Sequence, residues 1–298
     1  MKYIVLGGGS SPERAVSLRS AAAVGDALSS LGHTPVFLNP AEISADELLG
    51  AAQEAAGVFP ILHGEGGEDG SVQTLLENHG IPYFGPSATS CKATFNKVAF
   101  KELLEKEEII TPQWNIVTTE TFPTEPLVKK PFVLKPISGG SSIDTFIVRS
   151  LPFKTAPLLE ALKNYGSMLI EELIEGSEIT VGVLGNEVLP VIEIIPPQDK
   201  EFDYENKYNG ETQELCPPIN VSPAIQQKAQ DTALKVHNAT HCRHLSRTDM
   251  MIDATGQLYV IDTNTIPGLT DQSLFPKAAA QAGYSWEQLV NRFVDMME

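Results

Sequence analysis

The chain has 298 residues, of which 42% are hydrophobic and 20% charged, with a formal net charge of −17. It exceeds the roughly 250 residues at which single cores stop growing, so two or three lobes with clefts between them are expected. With 21 basic against 38 acidic residues, the balance argues against a nucleic-acid partner, and no apolar run nears the roughly 20 residues of a membrane helix. Any anionic ligand must therefore be held by individual lysines or by a divalent cation.

Met1–Leu6 is a short apolar stretch that passes directly into Gly7-Gly8-Gly9, without a signal-peptide cleavage pattern, which predicts a cytoplasmic protein. Cys91, Cys216 and Cys242 are odd in number and lack CxxC spacing, so they are read as reduced structural thiols.

In chain order, the periodicity predicts a strand at 3–6, a helix over about 13–31, a strand at 36–38, a helix over about 45–56 and an apolar strand at 58–62. Such alternation makes a small parallel α/β sheet that binds ligands at the carboxyl ends of its strands, where Gly7-Gly8-Gly9 and His63-Gly64 fall. One helix is predicted over 87–106, followed by strands at 114–117 and 132–135 around a Pro-containing loop at 121–126. Lys135-Pro136 leads into Gly139-Gly140-Ser141-Ser142, a strand at 145–148, a helix near 158–165 and a strand at 168–172. Gly185-Asn186 joins strands at 179–184 and 188–195 as a hairpin. A polar loop over 197–218, a helix near 223–237 and a second hairpin, 246–252 with 258–262, complete the reading.

Alternation puts Arg247 and Asp249 on one face of their strand and Asp262 and Asn264 on one face of the next. Two carboxylates and an amide form an all-oxygen set suited to Mg²⁺ on ATP phosphates; a surface salt-bridge cluster is the alternative. Lys135, at a strand end before the Gly/Ser loop, fits phosphate binding or an ordinary turn. Glu171-Glu172-Leu173-Ile174 lies where one lobe hands over to the next, so its backbone could meet an adenine and its carboxylates a ribose. Glu13 follows Ser10 by three residues and could be a capping-box glutamate, and His63 could be a buried, hydrogen-bonded histidine.

Seven segments then appear in order: Gly7–Ser17, Leu62–Gly70, Asn96-Lys97, Lys135-Pro136 with Gly140–Ser142, Asp203–Tyr208, Arg247–Asp249 and Asp262–Gly268. Together they resemble the motifs of the D-alanine–D-alanine ligase family, over nearly the whole chain. The resemblance implies an α/β (α+β) ATP-grasp fold with a parallel α/β domain at 1–86, a central lobe at 87–174 and a C-terminal lobe at 175–298, the nucleotide lying between the last two. The implied activity is ATP-dependent joining of two D-alanines through an acyl phosphate, for peptidoglycan precursors, by a homodimer.

By position, the resemblance gives Lys97 and Lys135 to the ATP phosphates with Ser141 and Ser142 in the covering loop. Glu171, Glu172, Leu173 and Glu178 go to the hinge and ribose, and Lys207 to the γ-phosphate. Asp249, Asp262 and Asn264 go to Mg²⁺, for which Mn²⁺ could substitute. Glu13 and His63 meet the first D-alanine, and Ser273 and Leu274 the second. Ser141 and Tyr208 order the covering loops, and Arg247 and the Gly268 N–H stabilise the oxyanion. The sequence departs from the family pattern at Asp262, usually glutamate, at Asp144, usually glycine, and at Ala15, often glutamate. A ligase using D-serine, D-lactate or an internal amine as acceptor, and a nucleotide-binding homologue without activity, are the alternatives.

Overall fold

In the computed structural model, which describes residues 1–197 and 212–297, strand β1 (Lys2–Leu6) lies between β2 (Thr34–Leu38) and β3 (Gly57–Pro60), all parallel. Helices α1 (Arg14–Ser30) and α2 (Ala45–Gln53) make the crossovers, and α3 (Ser71–Asn78), which the periodicity did not predict, follows β3. Alternation along β1 divides its side chains. Ile4 and Leu6 pack with Leu48, Val58 and Leu76, whereas Tyr3 and Val5 join a core with Phe59 and Phe84.

The single helix expected over 87–106 is two. Helices α4 (Ala88–Phe95) and α5 (Lys97–Lys106) meet at Asn96, whose backbone is extended and whose carbonyl side chain accepts from the N–H groups of Val98 and Ala99, each at 3.1 Å. Asparagine caps helices better than it extends them, because its side chain replaces the first missing hydrogen bonds. The apolar pattern ran through the junction and hid the break.

A four-stranded antiparallel sheet follows, in the order β4 (Trp114–Val117), β7 (Met168–Glu172), β5 (Phe132–Pro136), β6 (Phe146–Val148), with α6 (Ala156–Tyr165) beside it. Its core of Val117, Phe122, Phe132, Leu134, Leu162 and Ile170 is drawn from this segment alone.

The third sheet is built on β8 (Ser177–Leu184). It pairs with β9 (Glu187–Val188) through the Gly185-Asn186 turn, with β10 (Ile192–Ile195) and with β12 (Leu245–Ile252). Strand β11 (Gln213–Leu215) forms one edge, inside the segment expected to be loop, and β13 (Leu258–Asn264) the other. On β8, Ile179, Val181 and Val183 pack with α5 and with α7 (Pro223–Ala239), while Leu184 joins Val5, Phe59 and Phe293 on the opposite face. Two helices not predicted from sequence, α8 (Leu274–Gln281) and α9 (Trp286–Asp295), close that second core against the parallel sheet.

Candidate active site

The register of the third sheet assembles a polar face over three strands. Asp249 stands opposite Thr180 on β8 and Asp262 on β13, and Arg247 stands opposite Gly182 and Asn264. A bulge follows directly after the Asp249–Asp262 pair, a device common beside active sites. Arg247 grips Asp249 with two hydrogen bonds of 2.9 Å; Thr180 Oγ1 donates to Asp249 at 2.5 Å and Asn264 Nδ2 at 3.0 Å. Asp262 Oδ1 accepts from the Thr263 N–H at 2.9 Å. Opposed carboxylates repel across a strand pair, and here the Arg247 guanidinium offsets Asp249 while Asp262 lines the cleft. Among the described residues no three His, Cys, Asp or Glu side chains cluster as a metal site. The donors are therefore two carboxylates and the Asn264 carbonyl, hard oxygens that fit Mg²⁺.

This face forms one wall of a cleft of about 780 Å³, within the usual size for a ligand site. Lys97, Lys135, Glu172, Leu173 and Glu178 line it with Asp249, Asp262 and Asn264. The Gly/Ser loop is tied down from beneath by the α4–α5 break: Asn96 bridges Ser138, the Lys97 N–H donates to Ile137 O at 2.8 Å, and Lys97 Nζ donates to Gly139 O at 2.5 Å. Burial pulls the Lys97 ammonium below the usual lysine range, with Asp262 acting in the opposite direction. At the loop tip Ser141, Ser142 and Asp144 all adopt left-handed backbone, with φ of 54, 57 and 53°. Strain of this kind concentrates where backbone is held for a ligand. Gly176, another lining residue, has φ 151°, and a Cβ there would lie 1.8 Å from Ile252 O.

Glu171 and Glu178, both assigned to ribose and hinge, differ in accessibility. Both line the cleft, Glu178 half-buried and Glu171 only 2% exposed, and Glu171 pairs with Lys135 through one oxygen and with Lys101, at 2.7 Å, through the other. Burial opposes its charge, yet the two ammonium groups hold its carboxyl down at about 2. Glu172 pairs with Lys130 at 2.7 Å.

A smaller cavity of about 80 Å³ adjoins the cleft and gathers Glu13, His63, Ser141, Arg247, Gly268, Ser273 and Leu274. Glu13 precedes the first turn of α1 but makes no capping bond with its side chain; the carboxylate instead accepts from the Ser141 hydroxyl. The capping-box alternative is thereby overturned. Gly140 lets the loop approach Glu13 closely, since a Cβ would sit 2.9 Å from Glu13 Oε2 and push that carboxylate aside. His63 is buried, and desolvation lowers its pKa, with Glu13 opposing. Ser273 Oγ lies 2.8 Å from Thr270 Oγ1 and accepts from the Thr270 N–H at 3.1 Å. Lys207 and Tyr208 lie outside the described residues.

Several residues of the site were not singled out from sequence. Ser17 Oγ accepts from the Gly8 N–H at 2.9 Å and donates to Ile61 O at 2.5 Å, stapling the ends of β1 and β3. Ser11 Oγ donates to His63 O at 2.7 Å and accepts from the Glu13 N–H at 3.2 Å. Glu68 lines the small cavity and accepts from the Gly64 N–H at 2.7 Å. Burial, then the neighbouring Glu13, push its carboxyl up to about 8. Ser11, Ser17 and Glu68 fall inside quoted motifs, but only contact could give them roles. Lys101 had a usable signal, since it is four residues from Lys97 and so shares a helix face with it.

A lysine-lined cleft between two antiparallel sheets, roofed by a Gly/Ser loop and faced by a carboxylate–amide set, is the ATP-grasp fold. Residues 40–86 match the family model described as D-ala D-ala ligase N-terminus and residues 98–295 the one described as D-ala D-ala ligase C-terminus. The chain is 38% identical to a D-alanine–D-alanine ligase of Nitratidesulfovibrio vulgaris (strain DP4), over 99% of this chain and 98% of that protein. A crystal structure of the D-alanine–D-alanine ligase from Bacillus anthracis superposes with a TM-score of 0.86 at 31% identity, covering 100% of this chain and 97% of that one. A structure of the Bacillus anthracis ligase complexed with ATP gives 0.85 at 28% identity, with the same coverage. The chain belongs to the D-alanine–D-alanine ligase family, whose members are ADP-forming ligases.

Proposed function

We propose that the chain joins two D-alanines into D-alanyl-D-alanine at the expense of ATP, supplying peptidoglycan synthesis. One observation carries this reading: the large cleft and the small cavity share Gly140, Ser141 and Asn264. An amino-acid carboxylate in the small cavity would therefore meet the phosphate end of a nucleotide in the cleft.

In this reading Lys97 and Lys135 neutralise the phosphates, Glu178 takes ribose hydroxyls and the Glu172–Leu173 backbone takes the adenine. Asp249, Asp262 and Asn264 would hold Mg²⁺, or Mn²⁺ in its place, which when bound offsets phosphate charge. Glu13 receives the ammonium of the first D-alanine, with His63 neutral beside it. The carboxylate oxygen of that first D-alanine takes the γ-phosphoryl group and ADP leaves, which turns a poor leaving group into a good one. The second amine, seated by Ser273 and Leu274, gives up a proton and attacks the acyl carbon. Arg247 and the Gly268 N–H stabilise the oxyanion before inorganic phosphate departs. The lobes at 1–86, 87–174 and 175–298, a homodimer and a cytoplasmic location belong to the same reading and rest on family membership.

The test is phosphate release from ATP with Mg²⁺, with and without D-alanine, followed by mass analysis of the product. Release that requires both D-alanine and the cation, with dialanine formed, is expected. Release without D-alanine dependence, or with D-serine or D-lactate preferred as acceptor, would replace this reading.

A further inference from the structure

Beneath the nucleotide cleft lies a lysine to which the mechanism above gives no task. Lys101, on α5, is 0% exposed, and its ammonium lies 2.7 Å from Glu171 Oε2 and donates to Thr111 Oγ1 at 2.5 Å. Thr111 in turn donates to Val260 O at 2.8 Å, fastening the group to β13. The other Glu171 oxygen accepts from Lys135. In the β5–β7 register Glu171 stands opposite Val133, so Lys135, two residues along β5, shares its face.

The charges of this row decide what reaches the cleft. A Glu171–Lys135 pair alone would be neutral, and Lys135, which lines the cleft, would offer a phosphate little net attraction. With Lys101 on the far side the carboxylate is shared, and the row carries one net positive charge at its cleft end. A fully buried lysine is costly unless paired, which is consistent with a task beyond packing.

We infer that Lys101 is a positioning residue for nucleotide binding: by neutralising Glu171 from behind, it leaves the Lys135 charge available to the ATP phosphates. This rests on the cleft being the ATP site, and the test separates the two ideas.

Binding of a non-hydrolysable ATP analogue with Mg²⁺ is measured by calorimetry for the wild-type protein, Lys101→Met, Glu171→Gln and the double variant Lys101→Met/Glu171→Gln. Failure of the wild type to bind would remove the ATP site itself. With wild-type binding established, Lys101→Met is expected to weaken affinity about tenfold or more, a difference of about 1.4 kcal/mol. The double variant, which restores one net positive charge, is expected to recover most of that loss, and Glu171→Gln to bind no more weakly than wild type. If Lys101 acted only in packing, all three variants would lose affinity together. That pattern, or unchanged binding by Lys101→Met, would overturn the inference. Should Lys101→Met not fold, Glu171→Gln decides alone, because a tenfold loss there contradicts the charge argument.

Discussion

The Ser141 hydroxyl donates to the Glu13 carboxylate across 128 residues of sequence. Glu13 stands at the carboxyl end of the parallel sheet and Ser141 at the tip of the Gly/Ser loop, so one hydrogen bond joins the small cavity to the roof of the large cleft. Ser141→Ala is expected to leave Tm within a few degrees, because the bond is only partly buried, and to raise KM for D-alanine more than KM for ATP. A hydrogen bond to a charged group contributes about 1.5–3 kcal/mol, so the loss of kcat/KM should be tenfold or more. Steady-state kinetics with each substrate varied in turn checks this, and equal effects on both would show that the bond does not couple the two sites.

Glu68 makes a prediction in pH. Its carboxyl is raised from 4.5 to about 8 by burial and by Glu13. An acid with a raised folded pKa adds its full stability only below the unfolded value, and that stability is lost as pH climbs through the folded value. The window is therefore pH 4.5 to 8. Glu68→Gln should match the wild type at the acid end and exceed it at the alkaline end, seen as a higher urea midpoint. Parallel curves across the window would refute this.

Asp144 occupies a left-handed position with φ 53° and is held by the Tyr165 hydroxyl at 2.5 Å. Left-handed backbone costs an ordinary L-residue about 1–2 kcal/mol, less for aspartate, while glycine adds unfolded-state entropy of about 0.5–1 kcal/mol. These nearly cancel, so Asp144→Gly should change stability little. Removing a carboxylate between the lining residues Ile143 and Thr145 should lower KM for ATP severalfold, most clearly at low salt. Tyr165→Phe should not reproduce that gain, and if it does, tethering rather than charge is responsible.

Asn96 is the fourth test. Losing its two capping bonds in Asn96→Ala should cost about 1 kcal/mol, measured by denaturant unfolding. Because the same junction seats Lys97 against the loop, ATP affinity should fall as well. Asn96→Asp keeps the cap and should retain both properties; loss of affinity with the cap preserved would separate the two roles.

The parallel sheet was legible because β1, β2 and β3 are short apolar runs set between helical periods. The polar face of the third sheet was legible because strand alternation alone puts Arg247 with Asp249 and Asp262 with Asn264. What stayed hidden has two causes. The break at Asn96 was masked because the hydrophobic pattern continues through it, and α3, α8 and α9 were missed although Ser285 and Gln288 form a capping box at the start of α9. Other features depend on tertiary contact alone. Glu13 carries the same local spacing as a helix cap, Glu68 gains its character from burial, and the spacing of Lys101 from Lys97 marks a shared helix face but not its partner, Glu171, 70 positions further along the chain.

The distribution of cores divides the molecule into separately packed parts. Residues of the parallel sheet and of the third sheet interleave in one core, from Tyr3 to Val294. The four-stranded sheet, which carries Lys135, keeps a core of its own. Lys101 belongs to the third sheet's side, beside Phe100 and Leu104, which pack with β8 and α7, while Glu171 belongs to β7 of the four-stranded sheet. Their ion pair, 2.7 Å long and buried on both sides, therefore joins two separately packed cores, and the order of the row at the cleft depends on both.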